Sequence, residues 1–270
     1  MNARHSTPTP SAPARRRPSR GARVAYGVLG VVGELLITLG VLVLAFLVWQ
    51  LWWTDVQGNR AQAEVVRELP RIPVPTPAPT ASSSGPLVAP ERHDEPPVMA
   101  EVDHAVTFAT IQVPRWDGEP ERPVSEGVDR ETVLDVLGVG HYPGTAMPGG
   151  LGNVALAGHR TTFAKPFNRV AELQEGDPIV LRTATVDGGP GTDTWYVYRV
   201  TSWQVVKPSQ TEVIAPVPGA PGESPTERYL TLTTCHPMFS ARERYVVHAV
   251  LDYWAPVADG TPAELLEGAS

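Results

Sequence analysis

Leu230-Thr231-Leu232-Thr233-Thr234-Cys235-His236-Pro237 is the stretch on which the reading of the fold turns. Alternating Leu and Thr predict a half-buried β-strand. Pro237 cannot extend a strand ladder, so the strand should stop there. The thiol then stands at a strand end, where a reactive group can meet a substrate. Cys235 is the one cysteine of the chain, so no intrachain disulfide is possible. A lone cysteine is commonly a small buried hydrophobe, and the surrounding sequence has to decide between packing and chemistry.

The neighbouring segments extend the β pattern. Short, turn-bounded strands are predicted at 107–113, 153–157, 178–182, 194–200, 229–234 and 244–251, with short helical pieces at 130–137 and 163–173. Many short strands with Gly/Pro turns indicate a mainly β fold, a closed barrel or sandwich. From His104 to Pro256 the composition is globular, roughly 150 residues and enough for one domain with a real core. The small, acidic tail 257–270 is expected to fray.

The N-terminal quarter reads differently. Residues 1–23 hold Arg4, Arg15, Arg16, Arg17, Arg20 and Arg23 and no acid. Residues 24–54 are apolar apart from Glu34. About 20 apolar residues suffice to cross a bilayer as a helix. The arginines should stay cytoplasmic and the C-terminal bulk should lie outside, with Trp49, Trp52 and Trp53 at the outer interface. A cleaved signal peptide needs a shorter core and a small-residue cleavage site. Here the core runs into Gln50-Leu51-Trp52-Trp53, so an uncleaved anchor is expected. Glu34 reads as a tolerated polar residue or a contact with another helix. Residues 55–103 read as a Pro-rich extracellular linker: Asp55 to Glu68 has mixed charge and could be helical, and Pro70 to Pro97 is a disordered spacer with a reach on the order of 80–90 Å. The net charge is −7, and without the acid-free basic tail the exported part is more acidic still. An acidic exported part argues against nucleic acid as a partner.

Cysteine catalysis needs a thiolate, and a nearby histidine or arginine favours it. His93 and His104 fall in or at the end of the linker. His248 lies inside a predicted strand and reads as structural, whereas His141 follows a turn and could line a site. His236 adjoins Cys235 but should point to the opposite face. His159, in Ala157-Gly158-His159-Arg160, stands just past a strand, with a glycine before it that permits close approach. Arg160, Arg242 or Arg244 could supply positive charge, and the last two share a face by alternation. None of these signals decides alone.

Together, three motifs resemble the sortase family. Thr231-Leu232-Thr233-Thr234-Cys235 is similar to its strand end bearing the nucleophile. Gly152-Asn153-Val154-Ala155-Leu156-Ala157-Gly158-His159-Arg160 is similar to the segment bearing its histidine. Ser240-Ala241-Arg242-Glu243-Arg244-Tyr245 is similar to the segment bearing its arginine. Gly140-His141-Tyr142, Thr145-Ala146-Met147-Pro148-Gly149, Cys235-His236-Pro237 and Gly33-Glu34-Leu35-Leu36-Ile37-Thr38 resemble the actinobacterial class E branch.

The resemblance implies a sortase-like closed barrel of about eight strands over 104–256. It implies a cysteine transpeptidase with Cys235 as nucleophile, His159 as proton donor and Arg244 as the holder of substrate backbone and oxyanion. Tyr142, Thr234 and Arg242 are the candidate substrate-binding residues, Tyr142 for a Leu-Ala-x-Thr-Gly preference. The implied partners are secreted proteins with that C-terminal signal, a peptidoglycan-precursor amine and the lipid bilayer. No cofactor and no metal are expected. Two other readings stay open: another cysteine transpeptidase of the wall, and a non-catalytic, membrane-tethered domain that binds wall peptides.

Overall fold

The computed structural model describes residues 20–75, 86–186 and 188–267, the side chains of residues 22, 23, 25 and 51 aside. The basic tail up to residue 19 and the middle of the Pro-rich stretch, 76–85, lie outside the described residues. The chain divides into two compact units, residues 1–50 and 51–270.

Helix α1 runs from Arg20 to Glu68. In the first unit its apolar side chains, among them Leu35, Leu42, Phe46 and Val48, are exposed. It is the one described helix long and apolar enough to cross a membrane.

The second unit is a closed eight-stranded barrel. Its strands are β1 (Thr107–Gln112), β2 (Arg122–Glu126), β3 (Val139–His141), β4 (Gly152–Ala157), β5 (Pro178–Thr183), β6 (Thr194–Val206), β7 (Arg228–His236) and β8 (Glu243–Pro256). The order around the barrel is β1-β2-β3-β4-β7-β8-β6-β5, and β5 pairs with β1 to close it. The β2/β3 and β4/β7 pairs are parallel and the rest antiparallel. Phe108, Leu156, Ile179, Tyr196, Tyr198, Leu230 and Leu232 fill the interior.

All six predicted strands are present. The two missing from the sequence reading are β2, which carries Pro123, and β3, which has three residues. Three residues are too few to show alternation, and a proline demotes a strand candidate.

Strand β7 is more buried than its alternation suggests. Thr231, Thr233 and Thr234 are as inaccessible as Leu230 and Leu232. Their hydroxyls are satisfied inside the protein: Thr231 donates to Asn153 Oδ1 (2.8 Å) and Thr233 to the Leu156 carbonyl (3.2 Å). Asn153 in turn donates to the carbonyl of Ala215 (3.1 Å), tying the β6–β7 connection over this face. Buried polar groups persist when so paired.

The helical expectations are corrected. A single π-helical turn, Arg130–Leu134, stands where 130–137 was expected, capped by Asp129, which accepts from the Thr132 amide. At 163–173 there is a loop and one 3-10 turn, Val170–Glu172. Pro166 disfavours helical geometry in the residue before it, and Phe163, Ala164 and Lys165 all have positive φ.

The stretch expected as a linker is packed at both ends. Residues up to Glu68 continue α1, and Gln62, Val66 and Leu69 are buried. The Thr185 amide donates to the Pro70 carbonyl (2.7 Å). Ala89 and Met99 are buried, Arg92 and Trp254 exchange backbone hydrogen bonds at 3.0 Å, and the Arg92 guanidinium lies 5.0 Å over the Trp254 ring. The tail is also held: Val257 is buried, and Glu264, in α2 (Ala263–Glu267), accepts from the Tyr253 hydroxyl (2.6 Å). Sequence composition missed these contacts because each depends on single residues meeting distant parts of the barrel.

Candidate active site

Two ladder registers assemble the site. In the parallel β4/β7 pair, Ala157 faces Thr233. His159 and Cys235 each follow by two residues, so both lie just past the same end of the pair. Two further hydrogen bonds tie these ends together: Gly158 N donates to the Thr233 carbonyl (3.2 Å), and the Thr234 hydroxyl donates to the Gly158 carbonyl (2.7 Å). In the antiparallel β7/β8 pair, Cys235 stands directly opposite Arg244. Residues far apart in sequence are thus fixed by backbone pairing, which specifies position far more tightly than loops do.

His159 is mostly buried and held on two sides. Its Nε2 lies 2.6 Å from Asp135 Oδ1, and the Phe163 ring lies 5.1 Å from its ring, tilted by 33°. With Nε2–H donated to the carboxylate, Nδ1 is the nitrogen left to give or take a proton. Gly158 gives room to a protein side chain: a Cβ there would sit 2.8 Å from the Phe167 ring.

The three candidate arginines separate. Arg160 is buried, and its NH1 reaches the Cys235 carbonyl (3.4 Å) and His236 Nδ1 (2.7 Å). Its guanidinium lies 5.3 Å over the Tyr245 ring. Burial lowers the Arg160 pKa, while the Tyr245 and Cys235 side chains oppose that shift; an arginine stays charged regardless. Arg244 is half-buried, and its NH1 donates to the carbonyls of Ala241 and Glu243, both at 3.0 Å. Arg242 is exposed. The free thiol of Cys235 is itself partly accessible.

Of the other candidates, Tyr142 meets the Thr233 hydroxyl with its own (3.0 Å), two residues before Cys235 on β7. Thr234 spends its hydroxyl on the backbone before His159. His236 shares the strand face of Thr234 and Tyr245, opposite Cys235 as alternation predicts: its ring lies 5.8 Å from the Tyr245 ring, and its Nδ1 meets Arg160.

His141 does not line an open site. It is buried between Glu126 (Nδ1, 2.6 Å), the Ala146 carbonyl and the Thr145 hydroxyl. His248 is structural, with Nδ1 on Thr231 (3.0 Å) and Nε2 on Gln204 (3.0 Å). Burial pushes its pKa down to about 4.

Asp135, Phe163 and Tyr245 complete the surroundings of the candidate triad, and the first two belong to no motif. Only the fold brings them there.

Known proteins give a consistent picture. The sortase domain family matches residues 111–252. The sortase SrtE1 of Streptomyces coelicolor is 34% identical over 93% of this chain, which spans 65% of that relative's length. The solved SrtA sortase of Actinomyces oris is 42% identical, with a TM-score of 0.60 over 66% of this chain and 97% of that one. A structure of S. coelicolor sortase E1 with a tripeptide in its active site is 36% identical, with a TM-score of 0.53 over 60% of this chain and 97% of that one. With a barrel and a Cys–His–Arg arrangement of this kind, the chain belongs to the sortase family.

Proposed function

We propose that this protein is a membrane-anchored cysteine transpeptidase that joins secreted proteins to the cell wall. The observation that carries the reading is the double register that sets His159, Cys235 and Arg244 at one barrel end. The apolar first unit of α1 supports anchoring, with the N-terminus cytoplasmic and the barrel outside.

Cys235 Sγ attacks the carbonyl carbon of Thr in a Leu-Ala-x-Thr-Gly-like signal. The C–N bond to Gly breaks as His159 passes a proton to the leaving amine, and a thioester remains. An amine of a peptidoglycan precursor then attacks the thioester, gives its proton to His159 and releases the thiolate. Arg244 stabilises the oxyanion of both tetrahedral intermediates, trading its bonds to the Ala241 and Glu243 carbonyls for substrate oxygens. Tyr142, beside the nucleophile's strand end, reads the residue that follows Leu in the signal, and Thr234 and Arg242 border the peptide path.

The test uses the full chain in detergent micelles, a Leu-Ala-x-Thr-Gly peptide and an added amine, with mass spectrometry of the products. A Thr-joined product that is absent with Cys235→Ala is expected. Folded protein that cleaves neither this peptide nor its Leu-Pro counterpart would overturn the assignment in favour of a binding domain.

A further inference from the structure

The part of α1 beyond the apolar segment presents one face to the barrel. Asp55, Gly58, Asn59, Gln62 and Val66 recur at helical spacing and make up that face. Its contacts converge on the two loops that flank His159.

Towards the first loop, Gly58 lies against the backbone of Phe163 and Ala164. A Cβ at Gly58 would stand 2.8 Å from the Ala164 nitrogen and 2.9 Å from the Phe163 carbonyl carbon. Gln62 is almost wholly inaccessible, and its Nε2 donates to the Phe163 carbonyl (3.1 Å). Asp55 pairs with Lys165 at 2.9 Å. This loop holds Phe163, Ala164 and Lys165 with φ of 52°, 63° and 39°. Three consecutive non-glycine residues in the left-handed region persist only where the surroundings hold them. The ring that this loop presents is the one 5.1 Å from His159.

Towards the second loop, the Gln62 amide fills the space beside Gly138: a Cβ there would be 2.8 Å from Gln62 Cδ. Gly138 lies three residues after Asp135, the carboxylate on His159. Arg122 locks the amide in place, donating to Gln62 Oε1 (3.1 Å) and Asn59 Oδ1 (2.7 Å).

We propose that Asp55, Gly58 and Gln62 are positioning residues for His159, so that the helix continuing the anchor is a working part of the catalytic site. The proposal rests on the transpeptidase reading above. It gives the stretch next to the apolar segment a task that a passive tether would not have. The helix holds both loops that fix the imidazole, one through Phe163 and one through Asp135. Displacing the helix changes proton transfer while leaving the peptide-binding surface on β7 and β8 intact.

The test is Gly58→Ala in the full chain in detergent micelles. Alanine is the better helix former, but its Cβ would press on the Phe163 and Ala164 backbone, so the loop has to shift. Positioning predicts that kcat falls about tenfold while KM for the signal peptide stays within twofold, in protein that still unfolds cooperatively; a purely structural contact would lower the melting temperature and leave the kcat of the folded protein within twofold. The His159 ring signals, followed by NMR in the same samples, should move as the Phe163 ring shifts, a readout independent of turnover. Asp55→Lys should also lower kcat, and adding Lys165→Asp should restore most of it. Unmoved His159 signals, or a Gly58→Ala enzyme within twofold of wild-type kcat, would overturn the proposal. Absence of turnover in wild type would instead count against the transpeptidase reading, and the NMR result would still decide the positioning.

Discussion

Asp135 Oδ1 and His159 Nε2 are 2.6 Å apart, a carboxylate on the imidazole that adjoins the strand end bearing Cys235. The contact selects the tautomer with Nδ1 free and stops rotation of the ring. Asp135→Asn keeps the size but lets the amide offer either a donor or an acceptor, so the tautomer is no longer chosen. A roughly tenfold lower kcat with KM within twofold is expected, within the range general acid–base groups contribute. Steady-state transpeptidation by the full chain measures it.

Arg244 and Arg242 share a segment but differ in placement. Only Arg244 faces Cys235 across the ladder. Loss of one oxyanion donor typically costs about 10²–10³ in kcat. Arg244→Ala should fall in that range, and Arg242→Ala should stay within about threefold of wild type. Comparing the two variants with one peptide checks this.

Arg160 places a buried positive charge against the Cys235 carbonyl, His236 and the Tyr245 ring at once. A planar fork can serve these three directions together, and an ammonium cannot. Arg160→Lys should therefore slow alkylation of Cys235 by iodoacetamide at pH 7 several-fold, although the charge is kept. An unchanged alkylation rate would assign Arg160 to packing alone.

His248 makes stability depend on pH. Its folded-state pKa is pushed down to about 4 by burial, from an ordinary 6.5. Below pH 6.5 the unfolded chain takes up a proton that the folded protein refuses until about pH 4. Stability from this group is therefore full above pH 6.5 and is lost as pH falls towards 4, by up to about 3 kcal/mol. Denaturant unfolding at pH 7 and pH 4.5 should show this loss, and His248→Gln should reduce the difference between the two.

A mainly β fold was legible because short alternating runs stand between turns marked by Gly and Pro, and the closed barrel was legible only through the family resemblance. The candidate triad was proposed from segments around His159, Cys235 and Arg244 that are specific only in combination. What escaped depends on contacts between distant segments. Asp135 and Phe163 look ordinary in sequence and matter only through their distance from His159. Arg92 sits in a stretch whose composition signals a spacer, and Gln62 in a charged segment whose helical promise says nothing of what it packs against; single well-placed side chains tie both down.

The equal offset of His159 and Cys235 from the facing Ala157 and Thr233 has a consequence for the history of the family. One residue gained or lost between Gly152 and His159, or between Arg228 and Cys235, would carry one member of the candidate pair away from the other and turn its side chain to the opposite side. The same change in the connections outside these two strands would leave the pairing untouched. Relatives of this chain should therefore vary in length almost everywhere except within these two short runs, where substitutions accumulate but insertions and deletions do not survive.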